Sequence, residues 1–128
     1  MIRALFSALL FLTSGLAAHA ANDIAQIQQG LDSPVIVDVR SEGEYASGAI
    51  DGALNHPLKG LPGTLLDMGV ELDEEVIVYC RSGRRSAQAR TLLKQAGFQL
   101  VFDGGPMTQL EQVLEQSEPQ SRLTNRLS

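Results

Sequence analysis

The chain has 128 residues, 44% of them apolar and 20% charged, which is a globular composition with room for one domain and excludes collagen-like, low-complexity and wholly disordered chains. Its formal charge is −5, and with no Trp, two Tyr and four Phe it offers neither a phosphate-binding surface nor a base-stacking platform, so no nucleic-acid partner is expected. A single cysteine excludes an intramolecular disulfide and a multi-Cys zinc site.

Residues 1–20 read as a secretory signal peptide. Met1-Ile2-Arg3 supplies a positive start, Ala4–Leu16 is uncharged and mostly apolar, and Ala18-His19-Ala20 is a small-x-small cleavage signal ahead of Ala21. The apolar run is shorter than the roughly 20 residues a spanning helix needs. No cysteine follows it to carry a lipid anchor. Cleavage after Ala20 would leave one domain over residues 21–128, more acidic by the loss of Arg3, with His56 as its one histidine. The pattern implies export to a bacterial periplasm and no membrane contact after cleavage.

Asn22 or Asp23 is expected to cap a helix carrying Ile24, Ile27 and Leu31, stopped by Gly30 and Pro34. Val35–Val39 is a β-branched run of the kind found in strands buried on both faces. Ser41–Ala46 reads as one or two helical turns, Leu54-Asn55 as a short strand, and residues 58–70 as an interrupted segment with a short helix. Val76–Tyr79 is a second buried strand. After it, Ser86 is expected to open a helix whose apolar stripe is Ala89, Leu92, Leu93 and Ala96, with Gly97 as its stop. Leu100–Phe102 is a third strand, Met107, Leu110, Val113 and Leu114 mark a last helix, and residues 118–128 read as a frayed tail. Strands alternating with helices imply an α/β fold, a parallel sheet with helices on both faces.

Ligands of such sheets sit beyond the carboxyl ends of the strands, where Cys80 falls. In Cys80-Arg81-Ser82-Gly83-Arg84-Arg85-Ser86, Gly83 lets the backbone curl, so that N–H groups and a helix N-terminus can face an anion. Those groups and three arginines would favour the thiolate of Cys80. Five of the chain's ten basic residues (Arg81, Arg84, Arg85, Arg90, Lys94) cluster here, which selects small anions over anionic polymers on so acidic a chain. A lone strand-end cysteine is more often a small buried hydrophobe. The strand–loop–helix setting and the arginines, which oppose the helix macrodipole unless an anion or thiolate offsets them, outweigh that reading.

The loop resembles the active-site loop of the rhodanese family. Val35–Arg40 with Glu44-Tyr45, then Gly48-Ala49-Ile50-Asp51-Gly52-Ala53-Leu54-Asn55, resemble the family's first signature, and Phe102-Asp103-Gly104-Gly105 resembles its closing Gly-Gly turn. Ala49 stands where the family usually has His, and no Trp follows Gly105, departures expected to affect packing. The resemblance implies a small parallel sheet of four to five strands and, for a single exported domain, a thiosulfate sulfurtransferase. Cys80 would take the outer sulfur of thiosulfate as a persulfide and pass it to cyanide or a thiol, with no metal or organic cofactor. Arg81, Ser82, Gly83, Arg84, Arg85 and Ser86 would bind the anion, Arg81 matching the basic residue of thiosulfate-using members. Asp38 and Arg40 carry over as a structural ion pair or as a supporting layer behind the residues of the loop.

A protein-to-protein persulfide relay, or an anion-binding module without turnover, uses the same loop and stays open. A cysteine phosphatase or arsenate reductase fits less well: its Cys-x5-Arg loop needs Arg at position 86, which is Ser. A thiol–disulfide oxidoreductase lacks its second cysteine.

Overall fold

Four short apolar segments form one parallel sheet in the computed structural model, which describes residues 15–127 and the side chains of residues 19–117. Helix α1 (Gly15–Gln29) leads to β1 (Val35–Asp38), α2 (Glu42–Ala46) and β2 (Leu54–Asn55). A 3-10 turn (Leu58–Gly60) and α3 (Gly63–Asp67) precede β3 (Glu75–Cys80), α4 (Arg84–Gln95), β4 (Leu100–Pro106) and α5 (Met107–Leu127). The strand order is β2-β1-β3-β4, and every neighbouring pair is parallel. Since β1 and β3 are adjacent while β2 lies outside β1, the chain reverses its winding there, and the crevice beyond the carboxyl ends of β1 and β3 is where such sheets place ligands.

The sheet separates two cores. On one face Val37, Val76, Val78, Cys80 and Val101 pack with Leu61, Leu65, Ala89, Leu93 and Phe98, so α3 and α4 cover it. On the other, Ile77, Tyr79 and Phe102 pack with Ile27, Leu110 and Val113 from α1 and α5. The period-two alternation of β3 therefore sends Tyr79 and Cys80 to opposite faces. Gly104 lies against α5 without a side chain: a Cβ there would come within 2.9 Å of Leu110 Cδ2 and 3.2 Å of Ile77 Cγ2.

Several sequence expectations shift. Residues 1–14 of the expected signal peptide lie outside the described residues, and α1 already begins at Gly15, so neither Asn22 nor Asp23 is its cap. Asp23 is instead buried, accepting the Asp103 backbone N–H (2.9 Å) and the Arg90 guanidinium, which docks α1 along the edge of β4. Helix α4 starts at Arg84, two residues before Ser86, because Gly83 takes the left-handed cap position (φ 94°). Its apolar stripe is narrower than expected: Ala89 and Leu93 are buried, while Leu92 and Ala96 are exposed. Strand β4 runs past Phe102 to Pro106, pairing with β3 through an irregularity at Val78/Tyr79 that passes over Gly104. The expected frayed tail is helical, α5 continuing through Pro119 to Leu127, in a segment whose Glu, Gln, Arg and Leu residues favour helix.

Candidate active site

The buried run of β3 delivers Cys80 to the switch-point crevice, and Gly83 turns the loop back over it. The sulfur is fully buried. Its Sγ accepts the Gly83 N–H at 3.0 Å and the Ser86 N–H at 3.4 Å, and it lies 3.6 Å from the Ser86 hydroxyl, which donates to Gly83 O at 3.1 Å. The curl depends on Gly83, since a φ of 94° is costly for any residue with a Cβ. The N–H groups of Arg84 and Arg85 belong to the first turn of α4 and have no intrahelical acceptor. The loop is thus a cup of donors closed over a sulfur, suited to negative charge on that sulfur or on an anion seated above it.

The three arginines differ. Arg81 and Arg84 are exposed beside the loop, with no carboxylate bound to either among the described residues. Arg85 is half-buried and its guanidinium is gripped at both ends by Glu44, Nη1 to Oε1 at 2.8 Å and Nη2 to Oε2 at 3.0 Å. That pairing holds the Glu44 carboxyl down to about 2. It also raises the Arg85 guanidinium, to which the nearby Cys80 adds a smaller electrostatic contribution. Arg85, expected at the anion, is paired with Glu44 here, and that pair ties α4 to α2 beside the sulfur. Ser41-Glu42-Gly43-Glu44 forms a full capping box that fixes Glu44 in place. Its Ser-x-x-Glu spacing was the signal for that role. Ser82 is exposed at the rim and Ser86 is fully buried beneath the sulfur.

Asp38 and Arg40 form the expected ion pair, on the sheet face opposite Cys80. Arg40 Nη2 reaches Asp38 Oδ2 at 2.7 Å and Gly48 O at 2.7 Å, and Tyr79 Oη donates to Asp38 Oδ2 at 2.9 Å. Tyr79 Oη in turn accepts the Ile50 N–H at 3.1 Å. Asp38 is the main cause of the raised Arg40 guanidinium, and burial pushes the Tyr79 phenol up to about 12. This network clamps the loop after α2 against β3 and makes no contact with the sulfur. His56 is half-buried, its imidazole shifted down by burial, and its backbone N–H goes to Asp38 O.

The Rhodanese-like domain model matches residues 21–106. The chain is 32% identical over 83 residues to a protein named sulfurtransferase from Allochromatium vinosum, covering 65% of this chain and 76% of that one. It is 33% identical over 69 residues to thiosulfate sulfurtransferase PspE from Escherichia coli, covering 54% and 66%. A solved structure, a rhodanese with anions from E. coli, superposes with a TM-score of 0.58 at 30% identity, over 60% of this chain and 91% of that chain. More distant similarity extends to a putative sulfur carrier protein from Bacillus subtilis, 37% identical over 73 residues and 37% of its length. It also extends to a tRNA uridine(34) hydroxylase from Acaryochloris marina, of which this chain spans 28%.

Proposed function

The chain belongs to the rhodanese-like domain family as a sulfurtransferase-type member, and we propose that its donor is thiosulfate. The observation that carries this reading is Cys80 Sγ under the N–H groups of Gly83 and Ser86, with Arg81 and Arg84 exposed and unpaired among the described residues at the mouth of the loop. In the first half-reaction the Cys80 thiolate attacks the outer sulfur of thiosulfate. The sulfur–sulfur bond breaks, sulfite departs with its electron pair, and a Cys80 persulfide remains. Arg81 and Arg84 offer charge-assisted donors to the sulfonate oxygens, and the first-turn N–H groups of α4 stabilise the anionic sulfur. In the second half-reaction cyanide or a thiolate attacks the outer persulfide sulfur and Cys80 leaves as thiolate.

The cup holds a fully buried sulfur, which favours a small donor over a bulky disulfide. The same persulfide could be handed to a protein thiol, and similarity to a putative sulfur carrier protein favours that as the second reading of the acceptor step. We infer from the three-part leader pattern that the protein is exported and cut after Ala20; N-terminal sequencing of the exported form should begin at Ala21.

The test is thiocyanate formation from thiosulfate and cyanide. Wild-type protein should turn over and Cys80→Ser should not, since a serine hydroxyl is not ionised near neutral pH. Equal rates for the two would remove Cys80 from the mechanism.

A further inference from the structure

Helix α4 leaves part of its outer side uncovered. Arg84, Ala87, Gln88, Thr91 and Leu92 recur at three- and four-residue spacing, so they share one face of the helix. With Leu58 of the 3-10 turn they line an open cavity of about 600 Å³. A second cavity of about 400 Å³ shares Leu58 and Leu92 with it and extends to Arg85 and to Val39, just past the end of β1. Leu92, common to both, is 37% exposed. Leu58 packs on its other side against the core cluster that holds Cys80. The two cavities form one largely apolar groove, which begins at the first turn of α4 beside the Cys80 loop.

Length and charge say what fits it. From Arg84 to Leu92 is about 12 Å of helix at about 1.5 Å per residue, the span of three or four extended residues at about 3.3 Å each. Arg84 and Lys59 stand exposed at its edges, and among the described residues no carboxylate binds either of them or lines either cavity. On a chain of formal charge −5 that is a local excess of positive charge, the complement of an acidic segment. Gln88 is exposed, and its amide can pair with a peptide backbone. A second copy of this chain is a poor thiol acceptor, because its one cysteine is buried.

We propose that the groove docks the sulfur acceptor, a cysteine-bearing segment of a partner protein whose neighbouring residues are apolar and acidic. The inference rests on the Cys80 persulfide of the proposed function and names the partner that takes its sulfur. Leu58, Ala87 and Leu92 receive the apolar side chains, and Arg84 and Lys59 hold the carboxylates. Arg84 faces the sulfonate in the first half-reaction and is released for a carboxylate once sulfite departs. The docked thiolate then attacks the outer persulfide sulfur. Its electron pair forms the new S–S bond, the pair of the old bond stays on Cys80 Sγ, and the acceptor leaves as a persulfide. One S–S bond forms and one breaks, with no outside oxidant or reductant. Docking raises the effective concentration of the thiol at the loop, an advantage that a free small thiol lacks.

Binding and transfer are measured separately on the full domain. A fluorescein-labelled peptide with serine in the cysteine's place, two leucines and two glutamates should bind in fluorescence anisotropy. Replacing its glutamates by lysines, or its leucines by serines, should weaken binding roughly tenfold. Leu92→Glu, at an exposed position where glutamate suits a helix, should weaken the acidic leucine peptide by a similar factor. Lys59→Glu should weaken it too and strengthen the lysine peptide. The cysteine form of the peptide should take sulfur from persulfide-loaded domain faster than free cysteine does, and Leu92→Glu should erase that advantage. No binding, equal binding of the three peptides, or binding untouched by both variants would overturn the proposal. So would a change in the sedimentation of the domain alone on Leu92→Glu, which would give the groove to a second copy. If thiosulfate leaves no persulfide while the peptides bind in the expected order, the groove stands and the donor assignment fails. If the persulfide forms and the peptides are not told apart, the donor stands and the groove fails.

Discussion

Gly83→Ala perturbs the point on which the cup depends. Gly83 has φ 94°, and a non-glycine residue held there costs about 1–3 kcal/mol. The new Cβ would also sit 3.3 Å from Pro106 Cδ, a tight contact that the ring can relieve only by moving. The loop then has two outcomes. If it keeps its shape, the strain appears as lost stability, about 4–8 °C in melting temperature for each kcal/mol in a domain near this size. If it relaxes to negative φ, the Gly83 N–H swings away from Cys80 Sγ, now 3.0 Å distant. Losing a hydrogen bond to a charged sulfur costs about 1.5–3 kcal/mol, which is roughly ten- to hundredfold in kcat/KM at about 1.4 kcal/mol per factor of ten. Melting curves together with initial rates of thiocyanate formation separate the two. A variant that melts and turns over like wild type would refute the claim that glycine is required to aim this N–H.

Arg81→Ala and Arg84→Ala should each weaken use of thiosulfate by roughly 1.5–3 kcal/mol in kcat/KM, the worth of a charge-assisted bond to the sulfonate; unchanged kinetics in the double variant would make both a solvated rim. Arg40→Ala strands Asp38, fully buried, without its partner, and should cost about 3–5 kcal/mol in urea unfolding, whereas a loss below about 1 kcal/mol would contradict a structural clamp. Glu44 is held down to about 2, chiefly by Arg85, so its contribution to stability is fully present above its unfolded value near 4.5 and is lost as pH falls toward 2. The gap in urea midpoint between wild type and Glu44→Gln should therefore be open at neutral pH and close across that acidic window; a constant gap would show that the Arg85 pairing is not its source.

Much of the architecture was legible because it rests on local signals. The β-branched runs at Val35–Val39 and Val76–Tyr79 became the two central strands, Gly97 ended α4, and the Cys80 loop fell at a strand–helix junction. What escaped was set by contacts distant in sequence. The three arginines looked equivalent, and only the approach of α2 to α4 shows Arg85 held by Glu44. Asp23 read as a helix cap because a short polar residue ahead of an apolar stripe carries no sign of its bonds to β4 and Arg90. Asp103 passed as turn punctuation before two glycines, since nothing local shows that β4 continues to Pro106 and buries it.

The persulfide is the center of the account, and it can be weighed. Mature protein mixed with thiosulfate, desalted and measured by intact-mass spectrometry should gain the mass of one sulfur atom. The gain should map to Cys80, vanish on adding a thiol or cyanide, and be absent from Cys80→Ser. No mass gain in wild type, or an equal gain in Cys80→Ser, would contradict sulfur transfer through this cysteine.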